Sequence, residues 1–515
     1  MLFNSYGFIF VFLPIVLFGF YAIGSRSHHR TAILWLVSCS LFFYGWWNPA
    51  YLSIIIISML FNYAIGTILA RKDKPKIVLG LAIGANLLSL AYYKYFNFFL
   101  NTLNTLNSTV ETHFNIETIL LPLAISFFTF QQIAYLIDAY RGETREYNFL
   151  SYCLFVTFFP QLIAGPIVHH REMLPQFAKD TLYKLNYKHL FIGLSIFALG
   201  FFKKAVLADG TSEYVSLTFN LAETSTAITF FAAWAGSLCY AFQLYFDFSG
   251  YSDMAIGLAR MFGIILPMNF NSPYKARNIT LFWRQWHMTL SRFLRDYLYI
   301  PLGGNRKGKV RQMINLMLTM VLGGLWHGAG WNFALWGLLH GVFLMIHNSW
   351  NQFSLFCGIR LNRFFAWYLT FSAVLFAWVP FRAQTLDGTL NIWRGMLGLN
   401  GFFLPKWMAT YSHGYETWVT EYKVAFVGIF HQVGPVKLMD IVWFVLLFFI
   451  VFYLPNTQQF MHRYRPVFEA RKYYQLTKSN IVWRPTVAWS LPLSFLFVYA
   501  TLSLTRISEF LYFQF

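Results

Sequence analysis

Four apolar runs, near residues 6–23, 31–47, 50–69 and 77–100, open the chain, and each falls in the length range that crosses a bilayer's hydrocarbon core. In lipid every backbone N–H and C=O must be satisfied within the segment, so such runs admit helices and exclude open sheet. The first and third connections, Arg26 to Arg30 and Arg71 to Lys76, are basic, while Asn48-Pro49 between them is not. Basic loops stay in the cytoplasm, so this alternation places the N-terminus on the outside.

Composition extends that reading to the whole chain. Charged residues make up only 11% of the 515 positions and hydrophobic residues 57%, against about 25% charged in an ordinary soluble protein. The length accommodates about 11–13 helices at roughly 20 residues per span. The expected fold is therefore an all-α polytopic integral membrane protein, one domain over residues 1–515. A net charge of +19 fits cytoplasmic loops facing anionic membrane lipids. No basic-aromatic reader domain stands clear of the bilayer, so nucleic acid is excluded as a partner. Cys39, Cys153, Cys239 and Cys357 are widely separated and fit neither a disulfide framework nor a metal site. The first 23 residues lack a basic n-region and a cleavage pattern, and read as a retained first span.

Farther along, the connection NTLNTLNSTVETHFNIE carries no Lys or Arg and is expected outside; a span at about 119–138 returns to Arg141 and Arg145 in the cytoplasm. Asp138 sits at that inner end, where a carboxylate can reach water, and reads as a structural cap rather than a functional ion. Pro160, Gly165 and Pro166 interrupt the next apolar run and predict a broken or re-entrant segment. Lys203 and Lys204 end the run at 189–209 and are expected to snorkel. Asp247 and Asp253 lie within an apolar region, where a charge facing lipid costs about 2.5–3.5 kcal/mol, so they must face protein or water. The connection at 383–438 holds four Lys/Arg against three Asp/Glu and reads as extracytoplasmic, whereas 462–484 is a strongly basic C-terminal connection. The terminal FLYFQF reads as an interfacial anchor.

The departure from a plain membrane bundle lies between Phe282 and Asn332, which contains His287 and His327 forty residues apart. On a helix over 283–297, Trp283, Trp286, Leu290, Phe293 and Tyr297 form one stripe and Arg284, His287, Ser291 and Arg295 another. Its arginines and Asp296 exclude an ordinary span; the segment lies at the cytoplasmic interface or re-enters the protein. Gly303 and Gly304 then make a turn before Arg306, Lys307, Lys309 and Arg311. Two readings fit this basic loop: membrane topology alone, or a cradle for the phosphates of an anionic donor. From Gln312 a continuous helix carries His327 about 22 Å into the membrane. Glycines on both sides of His327 permit close approach or a bend, and Trp326, Trp331 and Trp336 are candidates to wall a cavity. His340 reads as structural.

A deep neutral imidazole suits general-base catalysis, taking a proton from a hydroxyl that attacks an activated acyl group. No serine nucleophile elbow, His-Glu-x-x-His zinc pattern or phosphate-binding glycine loop offers another chemistry. The blocks LPLAISFFTFQQIAYLIDAYRG, FFPQLIAGPIV, QLYFDFSGYSDMAIGLARMFG, FWRQWHMTLSRFLRDYLYIPLGGNRKG and LGGLWHGAGWNFALWGLLHG closely resemble the membrane-bound O-acyltransferase family, within it the bacterial branch of alginate O-acetylation. The resemblance is dense over 120–345, the core, and thins after about 400.

That resemblance implies a multi-helix fold with re-entrant segments and a central funnel or tunnel in a bacterial cytoplasmic (inner) membrane. It implies His327 as catalytic base and His287 as the second family histidine, orienting substrate or supporting the donor. Acetyl-CoA is the implied donor substrate, with no permanently bound cofactor. Arg306, Lys307, Lys309 and Arg311, with Arg284 and Trp286, are the candidate donor-binding residues; no metal is expected. An extracytoplasmic SGNH-type acetyltransferase is the implied partner, and an alginate-like exopolysaccharide the acceptor. Peptidoglycan O-acetylation, a teichoic-acid D-alanyl relay and, from another class, a polysaccharide or lipid transporter remain as alternatives.

Overall fold

In the computed structural model the described residues are 1–71, 75–106, 118–143, 148–163, 165–224, 226–411, 416–434, 437–468, 481–505 and 511. Most of the NTLNTLNSTVETHFNIE connection, Arg145, part of the basic C-terminal connection and nearly all of the terminal anchor lie outside them. Among the described residues the fold is all-α apart from one parallel pair of two-residue strands, Phe402–Phe403 against Val424–Ala425. Among the described residues four helical stretches are long and apolar enough to span a membrane, Tyr51–Leu69, Lys76–Leu106, Tyr187–Glu223 and Arg363–Arg382. Phe8–Gly24, Leu438–Phe452 and Val487–Leu502 are shorter apolar helices.

The fold divides into two compact units, one formed by Met1–Phe202, Ser249–Asn269 and Thr457–Phe515, the other by Lys203–Phe248 and Phe270–Asn456. In the first, polar side chains placed in apolar helices meet each other. Asn62 and Asn86 exchange amide hydrogen bonds at 2.8 and 3.1 Å, the kind of interhelical contact that polar residues supply in lipid. The helix Ile125–Arg141 ends at Gly142, whose φ of 76° closes the last turn through bonds from the Gly142 and Glu143 N–H groups to the carbonyls of Ala139 and Asp138. Asp138 does not reach water as expected: it is buried, with His170 Nδ1 at 3.4 Å and His169 Nδ1 at 3.9 Å. The segment with Pro160 is broken as expected, into helices Phe149–Thr157 and Phe159–Leu162, with Pro160 in the first turn of the second. Asp253 accepts from Thr457 Oγ1 at 2.6 Å and Gln458 Nε2 at 2.8 Å.

In the second unit the helices Lys309–His327 and Trp331–Cys357 form a tight hairpin. A Cβ on Gly324 would meet the Phe333 carbonyl oxygen, and one on Gly337 the Met320 carbonyl oxygen, so the two backbones touch where both residues lack side chains. Lys204 is the largest departure from expectation here. It does not snorkel: it is fully buried and pairs with Asp209 and Asp247, both at 2.7 Å. Two carboxylates within reach hold the ammonium more strongly than the distant interface does.

Candidate functional site

His327 is the last residue of the helix Lys309–His327; Gly328 follows in extended conformation, so the imidazole stands where the helix stops. The continuous helix from the basic turn was legible, and its 18 residue steps carry His327 about 27 Å from Lys309 at 1.5 Å each. His327 is 5% exposed. Its ring packs against Trp326 at 4.9 Å, Trp336 at 5.2 Å and Phe381 at 5.3 Å between centroids.

His287 arrives by a different local structure from the single helix suggested by the pattern over 283–297. Asn278 caps a short helix, Ile279–Trp283, by accepting from the Leu281 N–H at 2.7 Å; a second helix begins at Met288. Between them the Asn271 N–H bonds the Gln285 carbonyl, and His287 takes a left-handed φ of 41°. That conformation is uncommon for a residue with a Cβ and holds only where packing fixes it. Phe248 supplies such packing at 4.7 Å, edge to face, and His287 is fully buried. The charged stripe Arg284, His287, Ser291, Arg295 is therefore not one helical face: Arg284 is exposed and His287 points inward. The consequence is that the two histidines, forty residues apart in sequence, have ring centroids 6.4 Å apart.

Around them lies a wall of aromatic rings that the sequence identified only in part. Trp336 and Trp378 stack at 5.9 Å, and Trp286 lies 4.9 Å from Trp378 and 5.7 Å from Phe282. Trp286 thus belongs to the wall. Trp331, a candidate for it, is exposed instead. His340 is part of the same cluster, accepting at Nδ1 from Trp283 Nε1 at 3.3 Å with its ring 4.8 Å from that of Trp336. Trp378 and Phe381 went unnoticed because they come from the helix Arg363–Arg382, whose apolar sequence carries no sign of which face turns inward.

Arg306, Lys307, Lys309 and Arg311 are exposed at the other end of the His327 helix. Gly303, Gly304 and Gly308 all have positive φ, as the predicted turn requires, and Asn315 Nδ2 ties the turn back by donating to the Gly304 carbonyl at 3.0 Å. Lys309 Nζ donates to Gln352 Oε1 at 2.9 Å. The structure thus brings His287, His327 and Trp286 into one cluster, and places the basic residues at the far end of the helix that carries the deeper histidine.

The buried imidazole pair in its aromatic enclosure thus stands at one end of a helix whose other end carries an exposed cationic turn. Residues 141–386 match the model of MBOAT, the membrane-bound O-acyltransferase family. Over 436 residues the chain is 44% identical to the peptidoglycan O-acetyltransferase of Helicobacter pylori, covering 78% of this chain and 81% of that protein. It is 39% identical over 414 residues to the probable alginate O-acetylase AlgI of Azotobacter vinelandii, covering 78% and 79% respectively. Identity to the teichoic acid D-alanyltransferase of Bacillus subtilis is 29% over 278 residues, 51% of this chain and 69% of that one. The chain belongs to the membrane-bound O-acyltransferase family. It is a multi-pass membrane acyltransferase.

Proposed function

We propose that the chain takes acetyl groups from cytosolic acetyl-CoA and passes them toward an extracytoplasmic polysaccharide, with His327 as the base. The observation that carries this reading is the buried His287–His327 pair at the end of a helix that begins in an exposed basic turn. Phosphates held by Arg306, Lys307, Lys309 and Arg311 would anchor the donor at the cytosolic face. His327 takes the proton of the attacking hydroxyl as its oxygen bonds the thioester carbonyl carbon. The carbon–sulfur bond then breaks and the same imidazole returns the proton to the departing thiolate. His287 orients the reacting groups, and the aromatic wall excludes water that would hydrolyse the thioester. The similarity to enzymes named for peptidoglycan and for alginate supports a polysaccharide acceptor; in this reading the chain sits in the inner membrane and an extracytoplasmic SGNH-type partner completes the transfer.

The deciding experiment is His327→Ala at normal protein level, with alkali-labile acetyl measured on the cell's extracytoplasmic polysaccharide. The expected result is its loss; retained acetylation excludes His327 as the base.

A further inference from the structure

Arg260 stands in the last turn of the helix Phe230–Met261 and is 5% exposed. Its guanidinium makes one hydrogen bond, from Nη2 to the Tyr464 carbonyl at 3.3 Å. Among the described residues Nε and Nη1 have no partner, and no carboxylate stands within ion-pair distance. A buried guanidinium is ordinarily paired, because a charge taken out of water without a counter-charge is strongly destabilising. The C-terminal dipole of the helix offsets part of that charge. Its last carbonyls are committed, however: the Gly263 N–H donates to the Arg260 carbonyl and the Ile264 N–H to the Ala259 carbonyl, each at 2.9 Å.

The side chains nearby add positive charge. His189, half-buried, lies within electrostatic reach of both Arg260 and Lys188. A Cβ on Gly263, at φ 81°, would lie 3.2 Å from His189 Nδ1, so the turn after the helix brings its backbone against that imidazole. Lys188 is exposed, with Nζ 5.8 Å from the ring centre of Tyr464, the residue whose carbonyl Arg260 holds. A guanidinium with free N–H groups beneath an ammonium and an imidazole is a donor set that matches the oxygens of a phosphate.

The setting is that of a lipid. Lys188 and His189 open the helix Tyr187–Phe202, on which Tyr187, Phe191 and Leu194 form an exposed apolar stripe at i, i+4 and i+7. Trp483, whose ring meets that of Tyr464 at 4.9 Å, precedes the helix Val487–Leu502, where Leu491, Phe495 and Val498 repeat that spacing and exposure. The two helices pack through Phe201 and Phe497, with centroids 5.7 Å apart. Tyr464 and Trp483 belong to the basic connection 462–484, whose charge marks the cytoplasmic side, and the cytoplasmic leaflet is the anionic one.

We propose that Arg260, Lys188 and His189 hold the phosphate of an anionic phospholipid of the cytoplasmic leaflet, with its acyl chains along these stripes. The lipid phosphate accepts from the guanidinium and supplies the counter-charge that the protein withholds. The site is independent of the acyl-transfer reading, whose basic turn belongs to the other compact unit.

The test uses the full chain purified in dodecyl maltoside and stripped of lipid, with dioleoyl phosphatidylglycerol as the anionic probe and dioleoyl phosphatidylcholine as the zwitterionic one. Bound lipid is counted by native mass spectrometry while the thermal midpoint is followed. Phosphatidylglycerol is expected to bind and to raise the midpoint; phosphatidylcholine at the same concentration is expected to do neither. Arg260→Gln should weaken phosphatidylglycerol binding about tenfold or more and Lys188→Gln about fivefold. Arg71→Gln, at an exposed arginine of another loop, is the unchanged control.

The sign of the stability effect separates a ligand site from a structural arginine. Without lipid, Arg260→Gln should melt at or above wild type, because an uncompensated charge is gone; with phosphatidylglycerol it should melt below. The proposal is overturned if phosphatidylcholine matches phosphatidylglycerol, if both site variants bind phosphatidylglycerol as wild type does, or if Arg260→Gln lowers the midpoint equally with and without lipid. It is also overturned if coenzyme A or inorganic phosphate alone raises the midpoint as far as phosphatidylglycerol does, which would make the ligand a soluble anion. If Arg260→Gln does not fold, the affinity of Lys188→Gln decides by itself.

Discussion

His287 and His327 stand with imidazole centroids 6.4 Å apart, yet only one of them is held by regular structure. His327 closes a helix, whereas His287 occupies a left-handed turn at φ 41° between two short helices. Backbone and imidazole can therefore be tested separately at position 287. His287→Gly and His287→Asn tolerate that φ; His287→Ala is expected to be less stable than His287→Gly by about 1 kcal/mol, the cost of a Cβ in this region. Acetyl transfer is expected to fall by about 100-fold or more in all three. Thermal unfolding in detergent, beside a thiol-release assay, checks both parts; an alanine variant more stable than the glycine variant contradicts the backbone account.

The glycines of the hairpin give a second prediction. Gly324→Ala and Gly337→Ala each place a methyl against a backbone carbonyl of the facing helix, which should destabilise by about 1–3 kcal/mol and lower the rate by moving His327. Gly330→Ala is the control, because its Cβ would lie 3.5 Å from the Phe333 ring, ordinary contact. Equal behaviour of the three variants would show that helix proximity does not set the site.

Lys204 gives a third. Lys204→Met leaves Asp209 and Asp247 without their shared cation, an expected loss of about 3–5 kcal/mol for breaking a buried pair. Adding Asp209→Asn and Asp247→Asn to the same protein should recover part of that loss. No recovery in the triple variant, measured by thermal unfolding, would mean that the ion pairs are not the source of the effect.

Neutralising Arg306, Lys307, Lys309 and Arg311 to Gln should raise the apparent KM for acetyl-CoA while leaving kcat nearly unchanged. Wild-type affinity should weaken with added salt and that of the variant should not, since exposed charges are screened. An unchanged KM would remove the basic turn from the donor site.

What the sequence disclosed follows from where its signals are local. The path from the glycine turn to His327 was readable because a helix without interruption converts residue count into depth. The inward placement of Asp247 and Asp253 was readable because charge in lipid is expensive. His287 was misplaced because the 3–4 spacing over 283–297 continues smoothly through a break made by tertiary packing: the bond from Asn271 and the contact with Phe248 come from elsewhere in the chain. Asp138 was misread for the same reason, since His169 and His170 lie at least 31 residues away in sequence, and Lys204 in part, since Asp247 is as distant although Asp209 is only five residues on. Trp378 and Phe381 had no signal in a helix apolar on every side.

The contact of Gly324 with the Phe333 carbonyl and of Gly337 with that of Met320 has a practical consequence. His327 is located by main chain meeting main chain, not by the rings that surround it. If the proposed donor site is right, exchanging Trp286, Trp336 or Trp378 for smaller side chains should admit longer acyl groups without relocating His327, which would make donor chain length separable from turnover.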